Sequence, residues 1–135
     1  MKQLTEDYVS YETAVLLKEK GFDESCYQKY DDEGYLSFNH VGYINSDKPC
    51  DDFYALAPTQ QMALKWLREA HKIIISFNAS FVNSIEPHFS WNIRINSLKS
   101  LNDEEHFEPI YINAKSESYE ESCEKALLYI LKNLI

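Results

Sequence analysis

Phe89-Ser90-Trp91-Asn92-Ile93-Arg94-Ile95-Asn96 alternates apolar and polar residues at every step. Successive side chains of a strand point to opposite faces, so this pattern predicts a strand with one face on a core and the other in water. A strand solvated on one side is at home in an antiparallel sheet, because parallel sheets are normally covered on both faces. Upstream, Ile73 to Phe77 is β-branched and apolar and reads as a second, buried strand. Downstream, an acidic turn at Asn102 to His106 precedes Pro109 to Asn113, a third strand with its proline only at the start, where no ladder donor is lost.

The segment that follows must cover this sheet. Ser118-Tyr119-Glu120-Glu121 is a capping box that opens a helix through about Leu134. At 100° per residue, Cys123, Ala126, Leu127, Leu128, Ile130, Leu131, Leu134 and Ile135 fill an apolar arc of roughly 200°, wider than the ~100° stripe of a surface helix. Such a helix is covered on more than one side. A sheet beneath and a helix beside it would do this, and so would a second copy of the chain docking on Leu128 and Leu131.

Before the sheet lies another helix, starting near Pro58 or Thr59, with Met62, Ala63, Trp66, Leu67 and Ala70 on one face. Its opposite face carries Gln61, Lys65, Arg68 and Lys72. The first helix spans Tyr11 to Lys20, with Ser10 as N-cap, Val9 and Ala14 as a hydrophobic staple, and Gly21 just past the end, where Phe22 can fold back on Leu17. Between these helices, Ser25 to Tyr30 and Tyr35 to Asn39 flank Asp31-Asp32-Glu33-Gly34 as a hairpin. Val41 to Asp52 reads as a loop and Phe53 to Leu56 as a short strand. The expectation is a single α+β domain over residues 1–135: three helices packed mainly on one side of an antiparallel sheet, in the order αββ(β)αβββα. Leu17, Phe22, Met62, Trp66, Leu67, Ile74, Trp91, Ile93, Ile95, Leu127 and Ile130 should supply the core.

A chain of 135 residues has room for one such domain. Its net charge of −9 disfavours direct binding to nucleic acid or to an anionic membrane. That charge is uneven: residues 1–57 carry 12 acids and 5 bases, 58–100 carry 2 and 5, and 101–135 carry 8 and 3, so the middle is basic. Gly21, Gly34 and Gly42 lie too far apart for a dinucleotide fingerprint or a phosphate loop. No apolar run approaches the ~20 residues needed to span a bilayer. Three widely spaced cysteines and an acidic amino terminus point to a reducing, cytoplasmic setting.

No motif nominates a reaction. His40, His71, His88 and His106 are not paired with one another or with a cysteine at metal-ligand spacing, so neither metal nor cofactor is expected. Cys50 lies beside Asp51 and Asp52, which disfavour its thiolate, while Cys26 and Cys123 read as packing residues. The acidic pairs fall in turns and helix starts and read as solvated. Two surfaces suit a protein partner: the stripe of Lys65, Arg68 and Lys72, which could meet acidic groups, and the hairpin tyrosines Tyr27, Tyr30 and Tyr35, which offer large contact area at low ordering cost.

Val9-Ser10-Tyr11-Glu12-Thr13-Ala14, Leu17-Lys18-Glu19-Lys20-Gly21-Phe22-Asp23, Ala57-Pro58-Thr59-Gln60, Trp66-Leu67-Arg68-Glu69 and Ser118-Tyr119-Glu120-Glu121 resemble a family of small proteins encoded by phages, prophages and mobile elements of gut anaerobic bacteria. The resemblance covers both ends and the middle and leaves out residues 40–55 and 78–108. It implies a genomic setting and transfers no catalytic or binding residue. The expected function is that of a non-catalytic cytosolic accessory protein that binds a host or phage protein. The alternatives are a small enzyme or an acidic mimic of nucleic acid. A deep polar pocket with a perturbed histidine or carboxylate would mark the enzyme, rows of carboxylates the mimic, and a flat aromatic patch the binder.

Overall fold

Local capping chemistry sets the ends of all three helices. A computed structural model describes residues 6–38, 55–97, 109–116 and 118–135 of the chain, with side chains left undescribed at 38 and 113–116. Helix α1 (Tyr11–Glu19) begins at Ser10, whose Oγ accepts from the Thr13 N–H, and ends where the Phe22 N–H reaches the Leu17 carbonyl at 2.9 Å, across Gly21 at φ 92°. Helix α2 (Gln60–His71) starts at Thr59 and stops at Lys72, which adopts the left-handed conformation. Helix α3 (Tyr119–Asn133) opens with the Ser118 Oγ accepting from the Glu121 N–H at 3.1 Å, as the capping box requires.

The strands divide between two antiparallel sheets. In the first, β1 (Gln28–Tyr30) is central, flanked by β2 (Leu36–Phe38) and β3 (Ala55–Leu56). The β1–β2 turn is held by Asp31, whose Oδ1 accepts from the N–H groups of Glu33 and Tyr35, both at 2.9 Å. Gly34 sits at φ 87°, a backbone conformation that other residues rarely adopt, so this turn favours glycine on conformation, while the Tyr11 ring, 3.4 Å from where a Cβ would lie, leaves ordinary contact room. The second sheet has the order β4 (Ile73–Val82), β5 (His88–Ser97), β6 (Ile110–Ser116).

The element order matches the sequence reading, and one refinement concerns the sheet. Because β3 pairs with β1 and α2 then intervenes, the earlier strands close a small sheet of their own instead of extending the later one. A second difference lies in β4, which continues five residues beyond Phe77 to Val82. Its partner β5 is equally long, and the register Phe77 with Ile93 through Phe81 with Phe89 keeps apolar residues on one face to the end.

Parity also corrects the expected core. Ile73 and Ile75 share a face with Ile95 and Ile93, whereas Ile74 lies opposite Asn96 on the polar face and is 45% exposed. Ala70 is likewise exposed, and Leu64 is buried on α2 in its stead. Leu17, Phe22, Trp66, Leu67, Ile93, Ile95, Leu127 and Ile130 are buried as expected, while Met62 and Trp91 are half-buried.

Helix α3 occupies the middle of the molecule, packed against α1, α2 and every strand of the second sheet. Its wide apolar arc is thereby explained. Cys123, Ala126, Leu127, Ile130 and Leu131 are all fully buried within the chain's own core. The expectation that Leu131 faces a second copy is therefore corrected: its side chain is fully buried in the single chain, on a helix packed against α1, α2 and the second sheet. Leu128 is half-buried. Cys50, His40, His106, the loop from Val41 to Asp52, Phe53 of the short strand and the acidic turn at Asn102 to His106 lie outside the described residues.

Candidate interaction surfaces

The β4–β5 hairpin outruns the helices that cover the sheet. Near its base, Ile73, Ile93 and Ile95 are buried, and Phe77 and Trp91 pack on Tyr119 of α3 at ring separations of 4.9 and 5.4 Å. Tyr119 at the start of α3 marks where this cover ends. Beyond it Phe81 and Phe89 continue the same face, paired across the strands with rings 6.2 Å apart, yet 63% and 57% exposed. Ile85 stands fully exposed in the connection. Scattered apolar residues on a surface are ordinary, but aromatics that extend a core face past its cover form one contiguous patch. The opposite face carries Ser76, Asn78, Ser80, Ser90, Asn92, Arg94 and Asn96, as its alternation demands.

The three tyrosines of the hairpin differ in burial. Tyr30 faces inward, buried, with its hydroxyl donating to the Val9 carbonyl at 2.7 Å and its ring edge-on to Tyr11 at 5.5 Å. It is thus a core residue and is not available to a partner. Burial and the nearby Glu124 carboxylate push its phenol above the usual range. Tyr27 is exposed, and so is Tyr35, at 68%. The stripe on α2 forms as its spacing demands: Lys65 and Arg68 on the helix and Lys72 at its end are all exposed. Lys65 pairs with Glu69 at 4.0 Å, an exposed contact worth little. Gln61 donates to the Tyr119 hydroxyl at 3.0 Å. The structure leaves the exposed tyrosines, the stripe and the aromatic hairpin on separate elements and unites none of them into one site.

Two hollows and one polar cluster gather ionisable or hydroxyl side chains. A cleft of about 830 Å³ runs between the end of α1 and the outer side of α2, with Lys20, Glu24, Lys65, Trp66, Glu69 and His71 in its lining. Trp66 is wedged edge-on between Phe22 and His71 at 5.5 and 4.6 Å. Lys65, Glu24 and Glu69 of the cleft are exposed, and His71 is half-buried. A shallower groove of about 320 Å³ between α1 and α3 is lined by Tyr11, Val15 and Leu16 and bridged by Lys132 to Glu12 at 2.8 Å.

The polar cluster joins all three helices. Glu124 Oε2 accepts from Thr13 Oγ1 at 2.6 Å and from Ser10 Oγ at 3.0 Å, while Oε1 accepts from the Ser10 N–H at 2.9 Å and from Gln60 Nε2 at 3.3 Å. A carboxylate at the start of α1 also meets the positive end of that helix. Thr13 and Gln60 are buried here. Among the described residues the Glu124 carboxylate holds both hydroxyls, and the cluster ties the helices together.

Burial pushes the Cys26 and Cys123 thiols up to about 12, with Glu24 adding to the first and Glu124 and Glu120 to the second. Neither is a nucleophile at neutral pH. Among the described residues no three metal-ligating side chains converge, and no helix is long and apolar enough to cross a membrane.

Sequence reading missed the exposed end of β4, although the signal was present: Phe77, Ala79 and Phe81 alternate with Ser76, Asn78 and Ser80. The Glu124 cluster had no signal, since its members lie 111 and 64 residues from Glu124 in sequence for Thr13 and Gln60. Comparison with protein-family models, with curated proteins and with solved structures finds no match.

Proposed function

We propose that this chain is a non-catalytic accessory protein that works by binding another protein, with the aromatic face of the β4–β5 hairpin as its contact surface. The observation that carries this reading is the exposed pair Phe81 and Phe89, side by side on one face of the two-stranded ladder beyond the cover of α3, with Ile85 exposed in the connection that follows. Buried aromatic anchors supply most of the energy of protein interfaces, and here they stand ready in water. A setting in a phage or mobile element is what the sequence resemblance implies, and cytoplasmic residence is what the cysteine pattern implies.

Site-specific photo-cross-linking tests the proposal. A photoreactive residue at Ile85 should yield a defined adduct with a different protein in cells that carry the gene, and the same probe at the exposed Glu33 should not. Phe81→Ser with Phe89→Ser should abolish the adduct while circular dichroism stays unchanged. Absence of any adduct at Ile85, or one equally strong at Glu33, would overturn the reading.

A further inference from the structure

Strand β4 is an edge strand: the order β4-β5-β6 leaves its outer side without a neighbouring strand among the described residues. Proteins guard such edges with charge, proline, bulges or short length, because the row of outward N–H and C=O groups is a template for another strand. Here none of these devices is used. Ile73-Ile74-Ile75-Ser76-Phe77-Asn78-Ala79-Ser80-Phe81-Val82 holds no charged residue, no proline and no glycine, and it pairs with β5 in unbroken register over its whole length. The run from Asn78 to Phe81 is exposed throughout.

We propose that the outer edge of β4 pairs antiparallel with the β4 of a second copy of this chain, joining two three-stranded sheets into one of six strands. Charge selects the occupant. The chain carries a net −9, yet the whole segment from Ile73 to Ser97 holds one acid, Glu86, and one base, Arg94. Two identical acidic molecules repel wherever their acidic parts face each other, so a neutral edge is where they can approach. Backbone geometry does the rest, because antiparallel pairing of identical strands is compatible with a two-fold axis normal to the sheet, the commonest symmetry of soluble oligomers. That axis keeps like faces together, so the aromatic faces of both hairpins lie side by side. The exposed run places the axis between Asn78 and Ser80. An axis at Ser80 sets Phe81 of each copy opposite Ala79 of the other, a large side chain against a small one on the aromatic face.

This goes beyond the binding of a different protein proposed above, and the two can fail separately. The test uses the full chain with Cys50→Ser, since Cys26 and Cys123 are buried. Cysteine is introduced singly at Asn78, Ala79 and Ser80, and each variant is oxidised. Only the residue on the axis meets its own copy within the ~4.4–6.8 Å Cα separation of a disulfide, and a neighbour offset along the strand does not. One position should therefore cross-link at least tenfold more than the other two. Light scattering should give a dimer for the unsubstituted chain, and Ala79→Lys should weaken it at least tenfold with its circular dichroism retained. A monomer at high concentration, or no preferred position in the series, would overturn the proposal. If Ala79→Lys is monomeric and the Ile85 probe still captures a different protein, both readings stand; a preferred cysteine position with an Ile85 adduct containing only this chain supports the dimer and refutes the other reading.

Discussion

Removing the Glu124 carboxylate should cost more stability than any other single change to a polar side chain among the described residues. Four donors converge on it: the Thr13 and Ser10 hydroxyls, the Ser10 N–H and the Gln60 amide, at 2.6 to 3.3 Å. Hydrogen bonds to a charged group contribute about 1.5–3 kcal/mol each, and members of one network do not add. If two of the four count in full, Glu124→Ala should lose about 3–6 kcal/mol out of the ~5–15 typical of a domain. Glu124→Gln keeps the shape but turns an NH₂ group toward side chains that also donate, for about 1–3 kcal/mol. Urea unfolding followed by circular dichroism reads both, with the exposed Glu33→Gln as a control that should stay within about 0.5 kcal/mol. Adding Thr13→Val completes a double-mutant cycle, whose coupling should be about 1 kcal/mol or more. A Glu124→Gln midpoint equal to wild type, or a coupling near zero, would refute the idea that this carboxylate holds the three helices together.

Ser118→Ala removes the cap on the central helix and should cost about 0.5–2 kcal/mol in the same assay with the fold unchanged. Leu131→Asp should unfold the chain, with loss of the helical circular dichroism signal, because it puts a charge where the native side chain is fully buried; a folded Leu131→Asp variant would contradict the packing of α3. In a Cys50→Ser background, Cys26 and Cys123 should resist iodoacetamide at pH 8 and react once urea is added. Their folded pKa values are raised from 9.0 to about 12, so the folded state holds these protons longer than the unfolded one. Their contribution is fully present below pH 9 and is lost as pH rises from there to about 12, which Cys26→Ala should lessen in a pH series of unfolding midpoints.

Features decided by neighbours in sequence were legible from the sequence. Ser10, Thr59 and Ser118 cap helices because each offers an oxygen to a backbone N–H three residues on, a contact between near neighbours in the chain. Asp31 and Gly34 specify their turn for the same reason. The alternation around Ile93 and Ile95 likewise identified a strand and its buried face. The basic stripe on α2 followed from helical spacing alone.

Tertiary structure decided the rest. An uninterrupted apolar stretch such as Ile73-Ile74-Ile75 has no alternation to say which parity faces inward, and only pairing with β5 turned Ile74 to the solvated side. An apolar arc on α3 fits a second copy as well as it fits the chain's own elements, and only packing against α1, α2 and the second sheet placed Leu131 in the core. Tyr27, Tyr30 and Tyr35 are chemically alike, yet only the second, at the end of β1, is buried against Val9 and Tyr11, and the other two are exposed. Glu124 is one acid among 22 until folding brings it to Ser10, Thr13 and Gln60. Phe81 and Phe89 belong by pattern to the same face as Ile93 and Ile95, and what leaves them in water is where the cover of α3 ends. Sequence periodicity assigns a side chain to a face of its own element; whether another element lies over that face depends on contacts between residues far apart in the chain.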